Sequence, residues 1–252
     1  MQRAQTLIQS KAGSLPLPRV GSIRKQGDLA RRLLVGKTRI SLLTKQQRAE
    51  TMSVITGLQA NIGDLDAFLG AWEGTSSRLA GYGASESRCV QIMMAGELSG
   101  RFNIANTWND IDSAMVGCAA NVADPESQTA MAASDIEMLG RTLSSVEHSV
   151  GDASGRFGSY LMGTGDLPSP DDFAEMTGRA WEHIGDAASG QTWTRRLVGP
   201  SGVGDWAVAT YTDSLNELMA ASATLFANTD QLALMNKTNS AMTGRAFFRK
   251  VA

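Results

Sequence analysis

From Ile55 to Leu79 the chain reads ITGLQANIGDLDAFLGAWEGTSSRL. Ile55, Leu58, Ile62, Leu65, Leu69, Trp72, Ser76 and Leu79 recur in alternating steps of three and four, the spacing of one helix face, with Ser76 as the polar member. Three further runs keep this step. They are Ile104, Trp108, Ile111, Met115, Cys118, Val122; then Ala132, Ile136, Leu139, Leu143, Val146, Val150; and then Tyr211, Leu215, Leu218, Ser222, Leu225, Thr229, Leu232. Four such seams predict an all-α protein, an elongated helical bundle packed at shallow angles. No stretch rich in Val, Ile and Thr alternates strictly, so little sheet is expected.

Helix starts agree with this partition. Asp124-Pro125-Glu126 combines a capping carboxylate, a proline at the first helical position and an acid in the first turn. Ser169-Pro170-Asp171-Asp172 adds the spacing of a capping box. The clusters Gly163 to Pro168 and Gly199 to Gly204 read as loops. Gly57, Gly63, Gly70 and Gly74 fall within the first seam. Either that face approaches a neighbour closely or the helix breaks there.

Size and composition bound the answer. The chain has 252 residues, 42% hydrophobic, 19% charged and 6% aromatic, which excludes collagen, a disulfide scaffold and a wholly disordered chain. The mostly apolar run from Leu218 to Ala227 is far shorter than the roughly 20 residues of a membrane span. Cys89 and Cys118 form no short-spaced metal or redox pattern, and burial as small hydrophobes is expected of them.

Charge is segregated. Residues 1–48 hold eleven Lys and Arg against the single acid Asp28, a net charge of +10, which leaves −12 on the remainder of a chain whose total is −2. Pro16 and Pro18 forbid helix around them. The expected organisation is therefore a basic extended arm over 1–21 and a single α-helical domain over 22–252, with a sub-boundary at 163–170. Arg19, Arg24, Lys25, Arg31, Arg32, Lys37 and Arg39 are the expected contacts to nucleic acid or another polyanion. An anionic membrane, an acidic protein surface, an organelle targeting segment and a plain solvated helix face are the alternatives. Aromatic residues are absent between Met1 and Phe68, which excludes stacking on single-stranded bases in that region.

Motifs that carry chemistry are few. Gly36-Lys37-Thr38 lacks the first glycine of a phosphate loop, since Arg31 stands in its place, and Gly202-Val203-Gly204 follows no expected strand. No Gly-x-Ser-x-Gly or His-Glu-x-x-His occurs. His148 and His183 read as helix-end residues near Gly151 and Gly185. Asp110 and Asp112, and Asp171, Asp172 and Glu175, are explained as caps and surface acids rather than ligands. Neither a cofactor nor a metal is expected.

These readings converge on a non-enzymatic assembly protein. The expectation is a many-copy virion subunit, a coat, nucleocapsid or internal protein, in the virion or the host cytoplasm. Its arm would touch nucleic acid through phosphates or an acidic neighbour, and its partners would be copies of itself. Ile55, Leu58, Ile62, Leu65, Leu69 and Trp72, with the aromatic pair Phe247 and Phe248, are the expected packing residues. A helical pilus or secretion-apparatus subunit is the alternative. A third reading, an all-α enzyme, would show a pocket lined by His148 or His183 together with carboxylates.

Overall fold

The computed structural model describes residues 52–199 and 202–252. The basic arm and all seven expected polyanion contacts lie outside the described residues. The described chain is not an all-α bundle. In it eight strands alternate with six helices: β1 (Val54–Ile62), α1 (Leu65–Gly81), β2 (Glu86–Met94), β3 (Phe102–Trp108), α2 (Ile111–Ala123), α3 (Pro125–Ala133) and β4 (Ile136–Gly151). Then come β5 (Phe157–Thr164), α4 (Pro170–Ile184), β6 (Gly190–Val198), β7 (Trp206–Thr212), α5 (Leu215–Ala227), α6 (Thr229–Lys237) and β8 (Ala241–Lys250).

The order is one β-α-β-β-α-α-β unit written twice. Each unit makes an antiparallel four-stranded sheet, β4-β1-β3-β2 and β8-β5-β7-β6, which is the ferredoxin-like arrangement. The sheets join edge to edge, β2 to β8 and β6 to β4, and close a barrel. Closure pairs the edge strands of both units, so neither unit keeps a free edge.

The repetition is written in the sequence. Residues 102–141 match 206–245 without a gap, so that Met115 falls on Met219, Met131 on Met235, Met138 on Met242, Gly140 on Gly244 and Arg141 on Arg245. Strand and helix boundaries follow the same register. At the junction before the last strand of each unit, Asp135 and Asn239 both adopt the left-handed backbone, at φ 48° and 51°. Short polar side chains tolerate that conformation better than others.

The expected seams failed for a physical reason. Each run crosses a junction between strand and helix. Ile55 to Ile62 lie in β1 and Leu65 to Leu79 in α1, while Ile104 and Trp108 lie in β3 and Ile111 onward in α2. Strands of a closed barrel with helices outside are covered on both faces, so they lack the alternation of a half-exposed sheet. On β3, Phe102, Ile104, Ala105, Asn106 and Trp108 are all buried. The glycines divide the same way. Gly57 is in β1 and Gly63 in the turn after it, and a Cβ on Gly70 in α1 would meet open space, so no close neighbour explains it.

The caps stand where the sequence puts them. Asp124 caps α3 with Pro125 at its first position, and Ser169 accepts from the Asp172 backbone N–H at 3.2 Å ahead of α4. Inside the barrel pack Val90, Ile92, Ala209, Tyr211, Ala246 and Phe248. Phe248 is fully buried among the barrel residues of its own chain, while Phe247 beside it on β8 is half-buried. Between the sheet and α1 pack Phe68, Cys89, Phe102 and Ile104.

Candidate small-molecule site

In the C-terminal unit, β5, β6 and β7 turn one face toward α4, α5 and α6, and a cavity remains between the layers. Its enclosed part measures about 60 Å³, within about 850 Å³ of non-protein space that continues to solvent. Phe173, Trp193, Trp206 and Phe226 give it aromatic walls. Phe173 meets Trp193 edge to face, with ring centroids 6.0 Å apart at 89°. The amphipathic α4 supplies Phe173, Met176, Ala180 and Ile184 to the lining from one face, at the spacing of a helix.

One wall is a polar relay. Trp193 Nε1 donates to Gln191 Oε1 at 2.7 Å, and Gln191 Nε2 donates to Thr210 Oγ1 at 3.2 Å. Gln191 and Thr210 are buried, and the relay satisfies both. Gln231 is different. It lies in the first turn of α6, held by its backbone N–H on the Asn228 cap at 3.0 Å, and is 2% exposed. Its Oε1 has no hydrogen-bond partner. A buried acceptor left unmade costs about 1–3 kcal/mol, so the position invites a donor from outside the chain.

Two cations complete the lining. Arg195 Nη1 donates to the carbonyls of Gly165 at 3.2 Å and Gly204 at 2.7 Å, while its buried Nε has no partner. Arg245 Nη1 lies 2.7 Å from Met219 Sδ, and its guanidinium stands 5.9 Å from the Phe226 ring. Burial lowers the Arg245 pKa from its ordinary value. Among the described residues neither arginine forms an ion pair. The nearby acids are engaged with neutral groups: Glu147 accepts from Ser145 Oγ, and Asp166 accepts from Asn239 Nδ2 at 2.6 Å. The arrangement has the chemistry to hold an apolar ring, one hydrogen-bond donor and an anionic group.

The residues singled out from sequence lie elsewhere. His148 is on β4 rather than at a helix end, and lines an open groove of about 370 Å³ beside Glu147, Phe173 and Trp181. His183 is in the last turn of α4, 3.3 Å from Asn228 Nδ2. Cys89 and Cys118 are free, and burial pushes the Cys89 thiol up to about 12. Asp110 caps α2, and the Ser113 backbone N–H holds its carboxyl below the usual range. Asp172 pairs with Lys237 at 2.7 Å and Glu175 with Arg179 at 2.8 Å. Among the described residues no group of His, Cys, Asp and Glu has the makings of a metal site, and no helix is long and apolar enough to cross a membrane.

Of the expected packing residues, Leu58, Ile62, Leu65 and Trp72 lie against the Phe68 cluster of their own chain, Ile55 and Phe247 are half-buried in strands, and Leu69 is exposed. The cavity residues Gln231, Arg195 and Arg245 escaped the sequence reading. The repeated Met-x-Gly-Arg of Met138–Arg141 and Met242–Arg245 was the available signal, because it places an arginine at the same point of both units.

No protein-family model matches the sequence, and no curated protein is similar to it. Solved structures are. A haem-binding protein from Thermus thermophilus superposes with a TM-score of 0.52 at 10% identity, covering 81% of this chain and 92% of its own. A variant chlorite dismutase from Candidatus Nitrospira defluvii gives 0.52 at 8%, covering 82% and 95%. A candidate monooxygenase from Fusobacterium nucleatum subsp. nucleatum gives 0.51 at 11%, covering 80% and 94%. The barrel and these neighbours overturn the expectation of a non-enzymatic, all-α virion subunit, and the all-helical pilus, secretion and enzyme alternatives go with it. At such identities the likeness establishes one thing, that this chain shares the doubled ferredoxin-like fold of those proteins.

Proposed function

We propose that the protein is an enzyme of the oxidoreductase type whose C-terminal cavity binds a small aromatic molecule bearing an anionic group. The carrying observation is that one aromatic-walled cavity holds the unpartnered Gln231 Oε1 and two arginines, Arg195 and Arg245, that form no ion pair among the described residues, while the two acids of the lining, Glu147 and Asp166, are hydrogen-bonded to Ser145 and Asn239. A concave apolar site with a few convergent polar groups is the usual form of a ligand site. The oxidoreductase class is supported by the names of the neighbours that share the fold, a candidate monooxygenase and a chlorite dismutase.

One of those neighbours binds haem, and iron porphyrin makes demands that a lining either meets or does not. Haem iron is held by His, Cys or Tyr, or by Met together with His. The cavity offers Met176 and Met235 but no imidazole, thiol or phenol. Its residues do not fit haem, and no step is routed through it. This chain's own groups do other work. Phe173, Trp193 and Trp206 exclude water, Arg195 and Arg245 neutralise the anion, and Gln231 accepts one hydrogen bond that fixes the ring.

The test is a titration with 4-hydroxybenzoate, read on the indole N–H resonances of Trp193 and Trp206, followed by oxygen uptake with the bound compound. Both resonances should shift saturably, and Arg245→Gln should weaken binding about tenfold, the worth of a charge-assisted hydrogen bond. Silence of both indoles, or stoichiometric haem binding that His148→Ala abolishes, would overturn the reading. Binding without oxygen uptake would leave the ligand site and remove the enzyme class.

A further inference from the structure

The N-terminal unit has a cavity of its own, between β1 and β3 on one side and α1, α2 and α3 on the other. It encloses about 80 Å³ within about 790 Å³ of space open to solvent. The gapless match of the two units carries its lining onto that of the C-terminal cavity. Ile104 corresponds to Val208, Asn106 to Thr210, Cys118 to Ser222, Ser127 to Gln231, Met131 to Met235 and Arg141 to Arg245, and all twelve line one cavity or the other.

The exchanges move the polar groups without removing them. In the C-terminal unit Thr210 is satisfied by Gln191, and the orphan acceptor is Gln231. In the N-terminal unit Ser127, at the position of Gln231, donates to Asp124 Oδ2 at 2.8 Å. The orphan there is Asn106, 9% exposed, whose Oδ1 has no hydrogen-bond partner. Trp193, which fills one wall, is replaced in register by Cys89. Arg141 stands at the rim and, among the described residues, forms no ion pair. Its Nη2 contacts Met138 Sδ at 3.5 Å, as Arg245 contacts a methionine.

We infer that this chain has a second ligand site, the N-terminal cavity, which takes a single-ring hydroxyaryl acid. The ring enters the apolar space between Phe68, Trp72 and Ile104, its hydroxyl donates to Asn106 Oδ1, and its carboxylate meets Arg141 at the mouth. At about 80 Å³ the cavity is smaller than the roughly 150 Å³ that admits benzene, so the ring occupies the open throat as well as the cavity itself. The inference shares its ligand chemistry with the reading of the C-terminal cavity but stands on different residues.

The two sites report on different tryptophans, which lets them fail separately. Trp72 lines the N-terminal cavity, whereas Trp193 and Trp206 line the other. During titration of the full chain with 4-hydroxybenzoate, the Trp72 indole resonance should move saturably. Asn106→Leu should weaken the Trp72 response at least tenfold, leave the Trp193 response unchanged, and raise the melting temperature of the free protein by removing the orphan acceptor. Should Asn106→Leu not fold, Arg141→Gln at the exposed rim serves instead. It should weaken 4-hydroxybenzoate several-fold at Trp72 while leaving 4-hydroxybenzyl alcohol unaffected. A Trp72 signal that stays still while Trp193 moves, or that moves equally in both variants and the parent, overturns the second site. A still Trp193 with a moving Trp72 overturns only the first.

Discussion

The two units fold alike but distribute bulk differently. Beneath α2, Trp108 is wholly buried and its Nε1 donates to Thr56 Oγ1 at 2.9 Å. The helix above it carries Gly117, where a Cβ would fall 2.1 Å from the indole. In the second unit Thr212 takes the place of the tryptophan, donating to the Ala187 carbonyl at 2.6 Å, and Ala221 takes the place of the glycine. Large over none and small over one occupy the same layer, so volume is conserved across the contact rather than at either residue. At the cavities the exchange concerns hydrogen bonds instead. Each unit keeps one buried amide oxygen without a partner, but at different strand and helix positions.

Breaking the bulky pair should have the largest effect. Trp108→Thr should lower stability by about 3–5 kcal/mol, the range for emptying a large aromatic site, read as a fall in the denaturant midpoint at constant slope. Gly117→Ala alone should cost about 1–3 kcal/mol by overpacking against the indole. The double variant should recover part of the loss, because the added methyl enters the space that the indole vacated. Strict additivity of the two costs would break the packing link.

The caps sharpen the comparison at a smaller scale. Asn228 accepts from the backbone N–H groups of Asp230 and Gln231, both at 3.0 Å, and Asn228→Ala should cost about 1 kcal/mol in a thermal melt. Asp124 holds the same position in the first unit. Its carboxylate accepts from the Ser127 hydroxyl and from backbone N–H groups beside Arg78, which lowers its pKa below the usual carboxylate range. A depressed folded value means that the contribution is complete above the unfolded value of about 3.9 and is lost as pH falls through the folded one. Asp124→Asn should therefore flatten the decline of stability below about pH 4, while Asn228→Asp should steepen it. Identical acid profiles for both variants would remove the distinction.

The smallest expected effect concerns the thiols. Cys89, buried and pushed up to about 12, should resist a thiol reagent under mildly alkaline native conditions, whereas Cys118, half-buried beside the N-terminal cavity, should react. Counting the labelled thiols before and after denaturation measures this. Early labelling of Cys89 would mean that the sheet opens between β2 and its neighbours.

Much of the local structure was legible in the chain. The caps at Asp124 and Ser169 begin helices, the Gly and Pro cluster at 163–168 runs from the end of β5 toward α4, the described residues 199 and 202–204 of the second cluster lie between β6 and β7, and the burial of Cys89 followed from its type. The class of fold was misread because steps of three and four ran through strand and helix alike. In β1 and β3 both faces are covered, which erases the alternation that marks a strand. Asn106, Gln231, Arg195 and Arg245 carry no motif. They matter through which polar atoms the fold leaves unsatisfied, and spacing does not report that.

Taken alone, the amino-acid order determined two helix starts, at Asp124 and Ser169, and how charge is partitioned, and it carries the recurrence of Met-x-Gly-Arg whose meaning the repeated fold reveals. Those properties are local, set by side chains acting on their own backbone or by direct repetition. Closure of the barrel, the two cavities and the orphaned oxygens of Asn106 and Gln231 were decided only by tertiary structure. Each depends on strands and helices distant in the chain meeting at one register, where the neighbours that arrive determine which groups find partners and which stay without them.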